Sequence, residues 1–261
     1  MTEGWRAMFE ATVREGVLRL RRPGTRWLST GWDGGRSRAA TAYNVTVPEG
    51  FDRTDLAAYR DERLARAEFG AEGNVGGDRD AAPTLFTGVS MDHARGARLG
   101  PVVAYATVGL SNPAMLPVEP EAASTAGTAG PTESREATGR TEGRPDPGTV
   151  NLIVGTTRRL APGAAANLVA VAAEAKAATL LAAAGVPGTT SDAVVVGDDP
   201  AGEPAEFSGS ATAVGGAARA CVRDAVRASL RSRYPDGDVP GPAADAEHGV
   251  VTDERAEVFD P

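Results

Sequence analysis

The residues best suited to chemistry in this sequence lie between Gly148 and Gly197, GTVNLIVGTTRRLAPGAAANLVAVAAEAKAATLLAAAGVPGTTSDAVVVG. Lys176, the chain's only lysine, stands two residues after Glu174 in a stretch made mostly of Ala, Val and Leu. A charge among apolar neighbours is costly unless it is paired or used. Two positions apart on a helix means nearly opposite faces, so each charge is expected to take its own partner. Glu174 shares a stripe with Asn167, Ala170, Val171, Ala178 and Leu181; Lys176 shares one with Val169, Ala172, Ala173, Leu180 and Ala183. No face reads as wet, which predicts a helix buried between layers. The plain structural alternative is that Lys176 snorkels to solvent and Glu174 bonds a backbone amide.

Familiar catalytic sets are poorly represented. Of the two histidines, His93 falls in a predicted surface turn, MDHARG, and His248 in an acidic tail. A Ser-His-Asp triad is therefore not expected. Cys221, the single cysteine, has apolar neighbours mid-helix and reads as core. No close set of His, Cys and carboxylates suggests zinc, and no metal or cofactor of the protein's own is expected. Hydroxyl, amide, lysine and carboxylate groups remain.

Composition bounds what surrounds them. The 261 residues are 41% hydrophobic and 24% charged, which allows a sizeable core. A net charge of -8 argues against nucleic acid and against anionic membrane surfaces as partners. Arg in place of Lys with an acidic surplus fits either a salt-adapted cytoplasm or a GC-rich genome. No apolar run is read as reaching membrane-span length, and the start, MTEGWRAMFEATVREG, lacks a signal-peptide pattern. The expected location is the cytoplasm.

Strands are predicted over 16–21, 26–29, 40–47, 85–89, 102–108, 150–154 and 194–196, with a glycine-rich loop, TGWDGG, at 30–35. Helices are predicted from Thr54 to about Phe69, from Pro162 to Gly185, and from Thr212 to Arg233. Residues 70–83 read as a polar surface loop, and Pro117–Pro147 is too poor in large apolar residues to order itself. The expected organisation is one α/β domain over 1–235, with a disordered insertion at 117–147 and a flexible acidic tail at 236–261. Mixed strands should be covered by long helices. A four-layer αββα sandwich would explain the buried helix only if something also covered it outside, which a homo-oligomer could do. Arg219, Arg223, Arg227 and Arg231 recur every four residues and read as a solvated face.

GTVNLIV at 148–154, AEAKAATL at 173–180 and PGTTSDAVVVG at 187–197 resemble the adenosylcobinamide amidohydrolases. So do STGWDGG at 29–35, YNVTVP at 43–48, TGVSM at 87–91, ATVGLSNP at 106–113 and the segment 207–226. The resemblance implies hydrolysis of the amide joining a corrin side chain to aminopropanol in adenosylcobinamide. The products would be adenosylcobyric acid and 1-amino-2-propanol, in corrinoid salvage. One departure is Pro187, where a Thr is expected in a Thr-Gly-Thr pattern; Thr189 and Asp192 are retained.

For that reaction Thr149 is a candidate nucleophile, with or without self-cleavage after Gly148. Its placement is similar to the nucleophilic residue of the ornithine acetyltransferase and β-peptidyl aminopeptidase fold. That Thr149 simply begins a strand is the alternative. Asn151 or Asn44 could hold the oxyanion, and Lys176 or Glu174 could tune proton transfers. Ser29, Thr30, Gly34, Gly35, Thr189, Thr190 and Asp192 are candidate substrate contacts; the two glycines allow close backbone approach or merely make a turn. Two further readings stay open: an N-terminal-nucleophile peptidase or acyltransferase, and a corrinoid carrier without catalysis.

Overall fold

A computed structural model describes residues 8–69, 82–117, 148–237, 239 and 249–260. Most of the expected surface loop at 70–83 (residues 70–81) and nearly all of the expected insertion at 117–147 (residues 118–147) lie outside them, as does His248. In chain order the elements are β1 (Glu10–Arg14), β2 (Val17–Arg21), β3 (Arg26–Ser29), β4 (Gly35–Arg38), β5 (Thr41–Thr46), α1 (Leu56–Arg66), β6 (Thr84–Thr87), β7 (Arg95–Leu99), β8 (Val102–Val108) and β9 (Pro113–Met115). There follow β10 (Val150–Thr156), β11 (Arg159–Leu160), α2 (Pro162–Ala184), β12 (Gly188–Thr189), β13 (Ala193–Asp198), β14 (Pro204–Ala205), α3 (Ala213–Arg233) and β15 (Val250–Val251). The expected mixed α/β class holds.

Two sheets carry the fold. One has six strands in the order β4-β3-β13-β10-β8-β7; the other has four, β1-β2-β5-β6. β10 and β13 run parallel, Asn151 opposite Ala193 through Thr156 opposite Asp198, and α2 makes the crossover that such a pair requires. β10 is antiparallel to β8 on its other side. Both faces of the central strands are covered, which explains their unbroken runs of Val, Leu and Ile. Val150, Leu152, Val154, Val194 and Val196 pack with Leu168, Val171, Leu180, Val222 and Val226 of α2 and α3. The alternate residues Ile153, Val195 and Val103 pack instead with Leu18, Leu20 and Ala42 of the four-stranded sheet. Tyr59 and Leu64 of α1 join that second cluster.

α2 begins with Pro162 at its first turn and ends at Gly185, whose φ of 72° gives the left-handed cap that only glycine adopts without strain. Thr212 caps α3 by accepting from the Gly215 amide at 3.0 Å. At α1, Asp55 occupies the cap position without a side-chain bond, so the helix starts one residue later than a Thr54 cap would set it.

Two expectations are corrected. α2 is not enclosed: Ala166, Ala170, Glu174, Ala178, Leu181 and Ala182 are exposed, while Leu168, Val171, Ala172, Ala175 and Leu180 face the core. α2 is also long and apolar enough to cross a membrane by length and composition, with 44% of its most apolar stretch buried against this protein. Beyond α3, Val250–Val251 pairs in parallel with Ala114–Met115.

Candidate active site

The loops that follow β3, β5, β6 and β8 meet the segments that precede β10 and β13 at one end of the sheets. Their contacts establish this. The Thr30 amide donates to the Val194 carbonyl at 3.0 Å, and Thr30 Oγ1 accepts from the Val194 amide at 2.9 Å. Gly109 N–H donates to the Thr149 carbonyl at 3.2 Å, and Thr190 N–H to the Asn112 carbonyl at 3.1 Å. Val47 N–H reaches the Thr87 carbonyl at 2.8 Å. A side chain at Gly148 would collide with the backbone of Gly109 and Ser111, so glycine is required where these two segments cross.

Asp192 organises the centre. One carboxylate oxygen accepts from the Val150 amide at 2.9 Å and from the Thr189 hydroxyl. The other accepts from the Thr189 amide at 3.0 Å and from Lys176 Nζ. The Lys176 and Asp192 side chains are only 12% and 11% exposed, so neither charge is tolerable there without the other. A side chain at Gly188 would fall on both groups, so this glycine keeps room for the ion pair. The carboxylate thereby ties the start of β10 to the start of β13, and α2 to both.

A hydroxyl pair sits at the same strand ends. Thr149 Oγ1 and Ser191 Oγ are 2.7 Å apart. Thr149 is 7% exposed. Two residues along β10 lies a polar cluster between the sheets: Asn151 Nδ2 donates to Asn44 Oδ1 at 2.9 Å and to the Phe86 carbonyl at 3.0 Å, while Asn44 Nδ2 donates to Thr107 Oγ1 at 3.0 Å. All three are at least 98% buried. The amide donors that could hold an oxyanion are thus engaged within the protein. Asn151 Oδ1 and, on the GLSNP loop, Asn112 Oδ1 are buried acceptors with no partner among the described residues. Such groups are points where a ligand donor or water is readily taken up.

The sequence-derived candidates separate accordingly. Thr149, Thr189, Asp192 and Lys176 come together, and Asn44 and Asn151 stand behind them. Glu174 does not join them: its side chain is 59% exposed and binds Arg219 Nη1 at 2.6 Å. Expected buried in the site, it lies on the solvent side of α2 because the helix turns that face outward. Ser29 Oγ accepts from the Gly31 amide at 3.1 Å, so Ser29 and Thr30 brace their loop. Gly34 packs against the carbonyls of Ser29 and Gly31, and Gly35 has a φ of 105°; both make the turn and are exposed. Thr190 is exposed. Ser191, Asn112 and Thr107 were absent from the candidates although each lies in a quoted motif; their signal was a hydroxyl or amide at a strand end.

Other groups are accounted for elsewhere. Cys221 is buried with its thiol against the Val102 carbonyl, and burial pushes its pKa up to about 11, so it is no nucleophile. His93 Nδ1 lies 3.1 Å from Ser232 Oγ in the last turn of α3. Among the described residues no three His, Cys, Asp or Glu side chains gather as a metal site.

The family model of the adenosylcobinamide amidohydrolases matches residues 5–237. The chain is also 54% identical to a protein of Halobacterium salinarum named adenosylcobinamide amidohydrolase, over 97% of this chain and the whole of that protein. With a match spanning both sheets and every group of the site, the chain belongs to the adenosylcobinamide amidohydrolase family.

Proposed function

We propose that this protein hydrolyses the amide linking aminopropanol to the corrin side chain of adenosylcobinamide, giving adenosylcobyric acid and 1-amino-2-propanol for corrinoid salvage. Family membership supports the substrate, and the peptidase and carrier alternatives are not favoured by it. The single observation that carries the chemistry is the pair of hydroxyls, Thr149 and Ser191, held at 2.7 Å beside a buried Lys–Asp pair.

In this reading Thr149 Oγ1 attacks the amide carbonyl as its proton passes to Ser191 Oγ, which gives its own to the departing nitrogen. The C–N bond breaks, aminopropanol leaves, and water hydrolyses the Thr149 ester. Asp192, accepting from the Val150 and Thr189 amides, the Thr189 hydroxyl and Lys176, acts as the fixed clamp of the two strand ends, and Lys176 neutralises it. Asn44 and Asn151 shape the floor. Cobalt belongs to the substrate, and no further cofactor is invoked. The net charge of -8 supports a cytoplasmic enzyme without nucleic-acid or membrane partners. A second copy of the chain, if one assembles, has the exposed outer face of α2 available to it.

The test is incubation of purified protein with adenosylcobinamide and mass analysis of the products. Wild type should release 1-amino-2-propanol, and Thr149→Ala should lose about a thousandfold or more in kcat with an unchanged melting temperature. Full activity in Thr149→Ala would remove Thr149 as nucleophile.

A further inference from the structure

In a chain with only 5% aromatic residues, four of them gather beside the site. Trp32, in the TGWDGG loop, lies 5.8 Å from Phe86 between ring centroids. Phe86 lies 6.0 Å from Tyr59, and Tyr59 lies 4.6 Å from Phe51. Tyr59 is buried, but Trp32, Phe51 and Phe86 are each only half-buried. The Arg60 guanidinium, itself buried and paired with Asp61, stands 5.8 Å from the Trp32 ring.

This cluster is joined to the hydroxyl pair by short covalent and hydrogen-bonded paths. Asn151, two residues after Thr149, donates to the Phe86 carbonyl. Gly31, adjacent to Trp32, packs against Leu85, and a side chain on it would lie 3.7 Å from Cβ of Ala193, the residue after Asp192. The loop that carries Trp32 is fixed by the Thr30–Val194 bonds and by its tight turn at Gly34. An indole held in this way, with part of its surface open, loses little entropy on stacking against a flat ligand.

We propose that Trp32, backed by Phe86, stacks on the adenine ring of the substrate's adenosyl group and makes the enzyme selective for adenosylated cobinamide. The inference rests on the corrinoid reading above. It assigns to the aromatic wall the purine, a planar π-system of matching shape, while the hydroxyl pair handles the amide.

Steady-state rates with adenosylcobinamide and with hydroxocobinamide, which lacks the adenosyl group, test it. Wild type should favour the adenosylated substrate about tenfold or more in kcat/KM. Trp32→Ala should raise KM for adenosylcobinamide about tenfold, leave kcat within twofold, and leave hydroxocobinamide unaffected; Trp32→Phe should retain most of the preference. Equal losses on both substrates in Trp32→Ala and Trp32→Phe, or a wild type indifferent to the adenosyl group, would overturn it. Hydrolysis of neither substrate by wild type would instead bring down the parent reading, and this inference with it.

Discussion

β13 carries an aspartate at each end, and the two are put to different uses. Asp198 accepts from the Leu160 amide at 2.9 Å, and from Arg26 Nε at 3.2 Å and Nη2. Arg26 also donates to the Leu160 carbonyl at 2.9 Å. Thus one arginine and one carboxylate close the turn between β10 and α2, and the adjoining Asp199 is paired with Arg22. Asp192 makes the mirror-image connection to Val150, but its cation is a lysine and its neighbours are hydroxyls. The guanidinium end is a staple, with Arg26 Nε and Nη2 both engaged. The lysine end holds Thr149 and Ser191 against each other and leaves Asn112 Oδ1 without a partner among the described residues. A buried carboxylate paired with a cation marks both ends; the hydroxyls and the open acceptor distinguish the one suited to catalysis.

Paired substitutions sharpen this contrast. Asp192→Asn should lower kcat/KM at least about a hundredfold and destabilise the fold by about 3 kcal/mol, since Lys176 is left buried and unpaired. Asp198→Asn should cost about 2 kcal/mol, because Arg26 is a third exposed, while kcat stays within about twofold. Thermal melts and product assays on both variants check the difference; equal loss of activity at the two ends would erase it.

Glu174 provides a second contrast, within α2 itself. Glu174→Gln should leave kcat and KM unchanged, because the side chain meets solvent and Arg219 rather than the site. A large fall in activity would return it to the catalytic machinery. The smallest effect belongs to His93, whose pKa burial and then Arg233 hold below the ordinary 6.5. The unfolded chain protonates there as pH falls through 6.5, whereas the folded chain resists until lower pH. Stability present above pH 6.5 is therefore lost on acidification toward the folded value. His93→Gln should flatten that part of a melting-temperature profile recorded from pH 7 to 5.

Much of the framework was legible because its signals are local. Pro162, Gly185 and Thr212 mark helix ends by backbone and hydroxyl chemistry, and the valine runs of β10 and β13 mark strands covered on both faces. β1, β4 and β7 were not legible. Their sequences, EATVR, GRSR and RGARL, belong to edge strands, where polar side chains protect an open edge and no alternation is imposed. The outer face of α2 departs from its expected burial for another reason. Alanine carries so little side chain that an exposed stripe of it resembles a buried one, so periodicity could not separate Glu174 from Lys176. Pairing Thr149 with Ser191 required the parallel register of β10 and β13, which no local pattern encodes.

The central claim is that Thr149 becomes acylated by the substrate. Rapid acid quench of enzyme mixed with adenosylcobinamide, followed by intact-protein mass measurement, tests it most directly. The account predicts a corrinoid acyl adduct on wild type, mapped to Thr149 and absent from Thr149→Ala. Undiminished release of 1-amino-2-propanol by Thr149→Ala, with no adduct on either protein, would contradict it.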